Sequence, residues 1–156
     1  MTIQIDTREK ARAIQKIREH FEANGIKTID SKLFVGDYMS YDNPRLIVDR
    51  KQNLQELCGN VCQQHKRFTA ELQRANDAGI KLIILCEHGG GVKSLEDVKK
   101  WKNPRLKDSP LAVSGERLYK ILSTMAVHYN VDFLFCDKRA TGRRIIEILS
   151  GGANDS

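Results

Sequence analysis

The stretch from Gly36 to Lys51, "GDYMSYDNPRLIVDRK", decides how this chain folds. Asp42, Asn43 and Pro44 are turn formers, so the residues on either side read as the two arms of a hairpin. The second arm is apolar through Leu46, Ile47 and Val48, then changes abruptly to Asp49-Arg50-Lys51. On a strand, alternate residues share a face. Asp49 and Lys51 therefore point one way and Arg50 the other. Pairing the arms also brings Asp37 beside Asp49.

Outward from the hairpin, the pattern alternates between strands and helices. "IQID" reads as a first strand. A helix is expected from Thr7, with Ala13, Ile14, Ile17 and Phe21 on one face and a stop at Gly25. "IKTIDSKLFV" reads as a second strand. On the other side, Leu54 to Ala78 reads as helical, ending at Gly79. "IKLIILCE" is a continuous apolar run, as in a central strand covered on both faces. "HGGGVKSLEDVKKWKNPRLKDSPLAVSG" reads as a long excursion with one short helix near Leu95 to Trp101. Leu118, Ile121, Leu122, Met125 and Tyr129 then stripe a helix. "VDFLFC" is a last strand and Thr141 to Leu149 a closing helix. The order predicts an α/β sandwich with a mixed central sheet flanked by helices. One domain is expected over 1–150, with a disordered tail at 151–156.

Lys and Arg total 26 against 20 Asp and Glu, an excess of +6 that suits a polyanionic partner such as nucleic acid. Aromatics are only 6%, so contact with the backbone is a more natural mode than a base-stacking platform. No basic-then-apolar leader follows Met1 and no apolar run is long enough for a membrane span, so a cytoplasmic protein with no membrane partner is expected. Cys58, Cys62 and His65 in "CGNVCQQH" lack a second ligand pair, which argues against structural zinc. Cys86 and Cys136 end apolar runs and read as buried thiols.

Asp-x-Lys occurs at Asp30-Ser31-Lys32, Asp49-Arg50-Lys51 and Asp97-Val98-Lys99, so the tripeptide alone says little. Asp97 precedes a helical run, where i and i+2 diverge. No suitable acid closely precedes Asp30. Only Asp49 has an acid, Asp37, on a paired arm. Two adjacent carboxylates repel unless a cation joins them, and hard oxygen ligands suit Mg²⁺ or Mn²⁺. Lys51 would then orient or activate an attacking water.

These residues resemble the nuclease domain of the XPF-type structure-specific endonucleases, within the restriction-endonuclease-like superfamily. "DTRE" at Asp6 to Glu9, "GDY" at Gly36 to Tyr38 and "VDRK" at Val48 to Lys51 fall in that family's order. "KRFTAELQRANDAGIKLIILCE", Lys66 to Glu87, resembles the helix and strand that follow. The resemblance implies a three-layer sandwich and a metal-dependent endonuclease acting on flaps, forks or junctions in DNA. It implies metal binding by Asp37 and Asp49, catalytic roles for Asp37, Asp49 and Lys51 with Asp6 and Glu9 as further catalytic candidates, and a place at the same cleft for Asp6, Glu9 and Arg8, the last as a DNA contact. Arg50 is expected to support the site or touch the DNA backbone, and Arg67 to contact DNA.

Three departures from the family pattern stand out. Asp49 occupies a glutamate position, one methylene short. Either Gln55 or Glu56 stands near the family's later acid. No paired helix-hairpin-helix modules follow, as in small stand-alone, often phage-encoded, relatives, so a homodimer or partner protein is a candidate source of substrate grip. Lys99, Lys100, Lys102, Arg105 and Lys107 form the densest basic segment, and Arg143 and Arg144 lie near a helix start; both groups are candidates for backbone contact. Two alternatives remain: a catalytically silent DNA-binding or scaffolding module, and a Holliday-junction resolvase acting as a homodimer.

Overall fold

The hairpin arms are β3 (Tyr38–Ser40) and β4 (Asn43–Lys51), antiparallel, with Tyr38 opposite Val48 and Met39 opposite Ile47. Around them a computed structural model, which describes residues 1–151, places β1 (Thr2–Ile5), β2 (Lys27–Asp30), β5 (Lys81–Glu87) and β6 (Asp132–Cys136). The sheet order is β2-β1-β3-β4-β5-β6. β1 runs parallel to β2 and antiparallel to β3, while β4, β5 and β6 are mutually parallel. The sheet is mixed, as expected. The parallel strands all end on the side where Asp49 and Lys51 emerge.

Side-chain alternation divides the core into two layers. Ile47, Leu82, Ile84, Phe133 and Phe135 pack under α2 (Leu54–Cys62), α3 (His65–Asp77) and α4 (Gly115–Tyr129). Ile3, Ile5, Val48, Ile83 and Leu85 face α1 (Gln15–Ala23) and α5 (Thr141–Leu149). β5 is buried on both faces, which explains its unbroken apolar run. Each fully buried Ile or Leu contributes about 1.5–3 kcal/mol. Cys86 and Cys136 are buried free thiols, as their positions in apolar runs suggest.

Several expected boundaries differ. The first helix begins at Gln15, not Thr7. Asp6 accepts hydrogen bonds from the Arg8 backbone N–H at 3.1 Å and the Leu33 N–H at 2.8 Å, holding the chain in turns after β1. Ala13 and Ile14 still pack on the α1 side of the sheet, so the apolar spacing locates the buried face but not the helix start. The second strand stops at Asp30. Beyond it, the Gln4 side chain donates to the carbonyls of Ser31 and Lys32, and the chain leaves the sheet.

The single helix expected over 54–78 is two helices. The N–H groups of Gln63 and Gln64 both donate to the Gly59 carbonyl, and α3 starts afresh at His65. The excursion after β5 holds two 3-10 turns, Glu96–Lys100 and Pro104–Lys107, where one short helix was expected. The tail expected to be disordered lies outside the described residues except for Gly151. Among the described residues, no helix is long and apolar enough to cross a membrane.

Candidate active site

The hairpin brings Asp37 and Asp49 together. The Asp37 N–H donates to the Val48 carbonyl at 2.8 Å, and the Arg50 N–H donates to Asp37 Oδ2 at 2.7 Å. On the other side, the Asp6 N–H donates to the Asp37 carbonyl at 2.9 Å, tying β1 to the same point. Gly36 makes the approach possible. Its φ is +70°, and a Cβ there would stand 2.5 Å from Ile47 Cγ2 and 3.2 Å from the Val48 carbonyl oxygen. Gly36→Ala is expected to destabilise the fold by about 1–3 kcal/mol through overpacking and strained backbone, and to displace Asp37. Urea denaturation would check the first effect, and hydrogen exchange of the Arg50 N–H that Asp37 holds would check the second.

A cleft of about 460 Å³ opens at this end of the sheet. Asp37, Asp49, Lys51, Glu56, Arg67 and Glu71 are among its lining residues, with Arg8, Glu9 and Lys10 on the β1 side. Asp49 is 6% exposed and Lys51 stands 3.1 Å from its Oδ2. That contact lies within ion-pair range but lacks hydrogen-bond direction, and Asp49 Oδ2 is a buried oxygen without a hydrogen-bond partner. Removal from water and the neighbouring Asp49 push the Asp37 carboxyl well above its ordinary range. Burial and Asp49 likewise push Glu71 up. Burial works against the Lys51 charge, but Asp49 outweighs it and the ammonium is retained.

A buried carboxylate whose one cationic neighbour is Lys51, beside a second carboxylate driven toward neutrality, is an environment that a further cation relieves. Among the described residues, no group of three or more His, Cys, Asp and Glu side chains forms a ready metal cage. Two carboxylates with open space between protein walls suit a hard ion that keeps several waters, as Mg²⁺ does.

Arg50 points to the other face, as strand alternation requires. It is 8% exposed. Its Nε and Nη2 hold both oxygens of Glu9, at 2.7 and 3.2 Å, and its Nη1 meets Glu87. Thr141 donates its hydroxyl to the second Glu87 oxygen at 2.6 Å, and the Tyr38 hydroxyl donates to Glu9 at 2.7 Å. Burial and Glu9 push the Tyr38 phenol far up, so it serves as a donor and not a nucleophile. Arg50 is itself among the residues lining the cleft, but its guanidinium is enclosed between Glu9 and Glu87 and its side chain is 5% exposed.

Asp6 lies behind the cleft, 1% exposed and paired with Arg8 at 2.7 Å. Arg67 and Lys10 are exposed at the cleft. Of Gln55 and Glu56, Glu56 lines the cleft, whereas Gln55 lines a separate hollow beside Cys58 and Arg105. Glu56 accepts from the Gln52 N–H at 2.6 Å, while the Asn53 side chain caps the Glu56 N–H at 2.9 Å.

Lys99, Lys100 and Lys102 lie elsewhere, around an open hollow beside Trp101. Lys99 pairs with Glu96 and lies over the Tyr119 ring. Arg143 and Arg144 sit on the first turns of α5, each paired with Glu147. The sequence reading gave no role to Glu71 or Lys10. Glu71 follows Arg67 by one helical turn, and with Phe68 and Leu72, the residue after each, both buried, that spacing is the available signal.

The ERCC4 domain family model matches residues 5–149, nearly the whole described chain. The chain belongs to the ERCC4 domain family. Among solved structures, this ERCC4 domain is similar to XPF from Aeropyrum pernix, with a TM-score of 0.69 at 18% identity. It is also similar to XPF from Aeropyrum pernix in complex with DNA, with a TM-score of 0.65 at 17% identity. Each match covers 99% of this chain and 65% of the other, so the chain spans about two thirds of their length. At these identities the likeness establishes the fold, restriction-endonuclease-like with helices on both sides of a mixed sheet. No match is found among curated proteins.

Proposed function

We propose that this ERCC4 domain is a Mg²⁺- or Mn²⁺-dependent endonuclease that hydrolyses phosphodiester bonds in branched or otherwise non-B-form DNA. The observation that carries the reading is the convergence of Asp37 and Asp49, with the buried Asp49 Oδ2 left without a hydrogen-bond donor next to the Lys51 ammonium. Asp37 and Asp49 are the residues that would hold the ion. When bound, a divalent ion supplies charge stabilisation at the phosphate oxygens and lowers the pKa of a coordinated water.

The chain's own groups supply the remainder. Lys51 is anchored by Asp49 on one side and by the Phe68 ring, 5.5 Å from Nζ, on the other. That posture holds the ammonium in the cleft beside Asp49, where it would orient an attacking water or neutralise a phosphate oxygen. Arg8, Lys10 and Arg67 bring positive charge to the cleft mouth for the DNA backbone. Glu9, Arg50 and Glu87 hold the floor by joining the turn after β1 to β4 and β5. Family membership and the likeness to a DNA-bound XPF structure support nucleic acid as the substrate.

The test is a panel of labelled flaps, forks, four-way junctions, single strands and duplexes, with Mg²⁺, Mn²⁺ or EDTA. Cleavage of at least one branched DNA, abolished by EDTA, is expected. Tight DNA binding with no cleavage under either metal would overturn this reading in favour of a silent DNA-binding module.

A further inference from the structure

Leu33, Phe34 and Val35 lead into the Gly36-Asp37 turn, and their burial alternates. Leu33 and Val35 are 5% and 0% exposed, whereas Phe34 is 58% exposed. The core takes the flanking residues and leaves the phenyl ring outside. Single exposed apolar residues are common on protein surfaces, but the surroundings of this one are unusual. The Arg74 guanidinium carbon lies 5.1 Å from the ring centroid. Phe34, Arg8, Lys32, Leu33 and Arg74 bound a hollow of about 360 Å³, with no acidic side chain in its lining. Lys32 and Arg74 make no ion pair among the described residues; Arg8 is held by Asp6. Arg8 also lines the cleft that holds Asp37 and Asp49, so the two hollows share a wall.

An apolar protein partner is a poor occupant, because Arg74 over the ring and Lys32 in the same hollow would have to be desolvated. A cationic ligand is repelled. The fitting partner has a flat aromatic face and negative charge beside it, which describes a nucleotide. In duplex DNA the base faces are stacked and closed to a side chain. Only an unpaired base can offer its face to Phe34 while its phosphates meet Arg8, Lys32 and Arg74. We propose that Phe34 is a stacking site for one unpaired DNA base next to the cleavage point, making the cleft selective for branched over continuous duplex DNA. The scarcity of aromatic residues argues against an extended single-strand platform; one exposed ring at the edge of the cleft needs no platform.

This inference rests on the nuclease reading, and the test separates the two. Flap and fork DNA carrying 2-aminopurine at successive unpaired positions is titrated with protein in EDTA, alongside an unbranched duplex of equal length. Wild type is expected to change the 2-aminopurine fluorescence at one position near the branch. Phe34→Ala should lose that signal and bind the branched DNA roughly 5- to 150-fold more weakly, the range expected for one stacked base. Its affinity for the duplex should be nearly unchanged, and Phe34→Tyr should restore both signal and affinity. An unchanged branched-DNA affinity in Phe34→Ala, an equal loss on both DNAs, or a change confined to self-association in sedimentation would each overturn the stacking site. If wild type cleaves with metal while any of these holds, only the stacking inference fails. If wild type neither binds nor cleaves any DNA, the nuclease reading fails and this inference fails with it.

Discussion

Asp37→Asn is expected to lower the rate of metal-dependent DNA cleavage by at least about 10²- to 10³-fold, the scale of losing one group that stabilises charge in a transition state. The same substitution should leave the metal-free protein no less stable than wild type. The two results together are diagnostic. Asp37 accepts the Arg50 N–H through a side-chain oxygen, and an asparagine carbonyl can keep that bond. What it removes is a carboxylate whose ionisation is opposed by burial and by Asp49. Repulsion between the two acids is relieved and the proposed metal ligand is lost in the same step.

Thermal melting with and without Mn²⁺ checks this independently of catalysis. Wild type should melt higher with Mn²⁺, since an ion that binds only the folded state stabilises it. Asp37→Asn should show little of that gain. An Asp37→Asn protein that cleaves normally, or that keeps the full Mn²⁺ shift, would remove Asp37 from the metal site. Lys51→Ala should lose cleavage on a similar scale but keep the Mn²⁺ shift, because both carboxylates remain.

The parts of this architecture that could be read in the chain are those governed by local periodicity. The apolar runs of β4, β5 and β6, the stripe on α4 and the start of α5 at Thr141 follow from near-neighbour patterns. So does the meeting of Asp37 with Asp49, because a tight hairpin is itself local. The delayed start of α1 could not be read that way. It depends on Asp6 capturing the N–H of Leu33, far along the chain. The same holds for Glu71, whose helical face is evident but whose like-charged neighbour Asp49 on β4 is not. Arg50 is the sharpest case. Strand alternation correctly turned it away from Asp49 and Lys51, but its destination lies in residues 41 and 37 positions distant. No near-neighbour pattern announces that both are carboxylates.

That destination separates two roles for Arg50. A surface arginine that touches DNA can be removed with a stability change within about 0.5 kcal/mol. Arg50 instead has a side chain only 5% exposed, between Glu9 and Glu87 side chains that are 8% and 2% exposed. Arg50→Met would leave two buried carboxylates without their cation, a loss of about 3–5 kcal/mol. For a domain of this size the melting temperature should fall on the order of 10 °C. Glu87 would also remain hydrogen-bonded to Thr141, so the strain would pass to the start of α5.

Arg50→Lys keeps the charge but cannot reach Glu9 bidentately and Glu87 at once. An intermediate loss is expected, with folded protein left to study. Its DNA affinity should show the same salt dependence as wild type, since a guanidinium enclosed by Glu9 and Glu87 releases no counterions from a phosphate. If the slope of log affinity against log salt instead fell by about one unit with melting unchanged, Arg50 would be a DNA contact and the buried anchor would be wrong. Adding Glu9→Gln and Glu87→Gln to Arg50→Met should recover much of the lost stability, because no buried charge is then left unpaired.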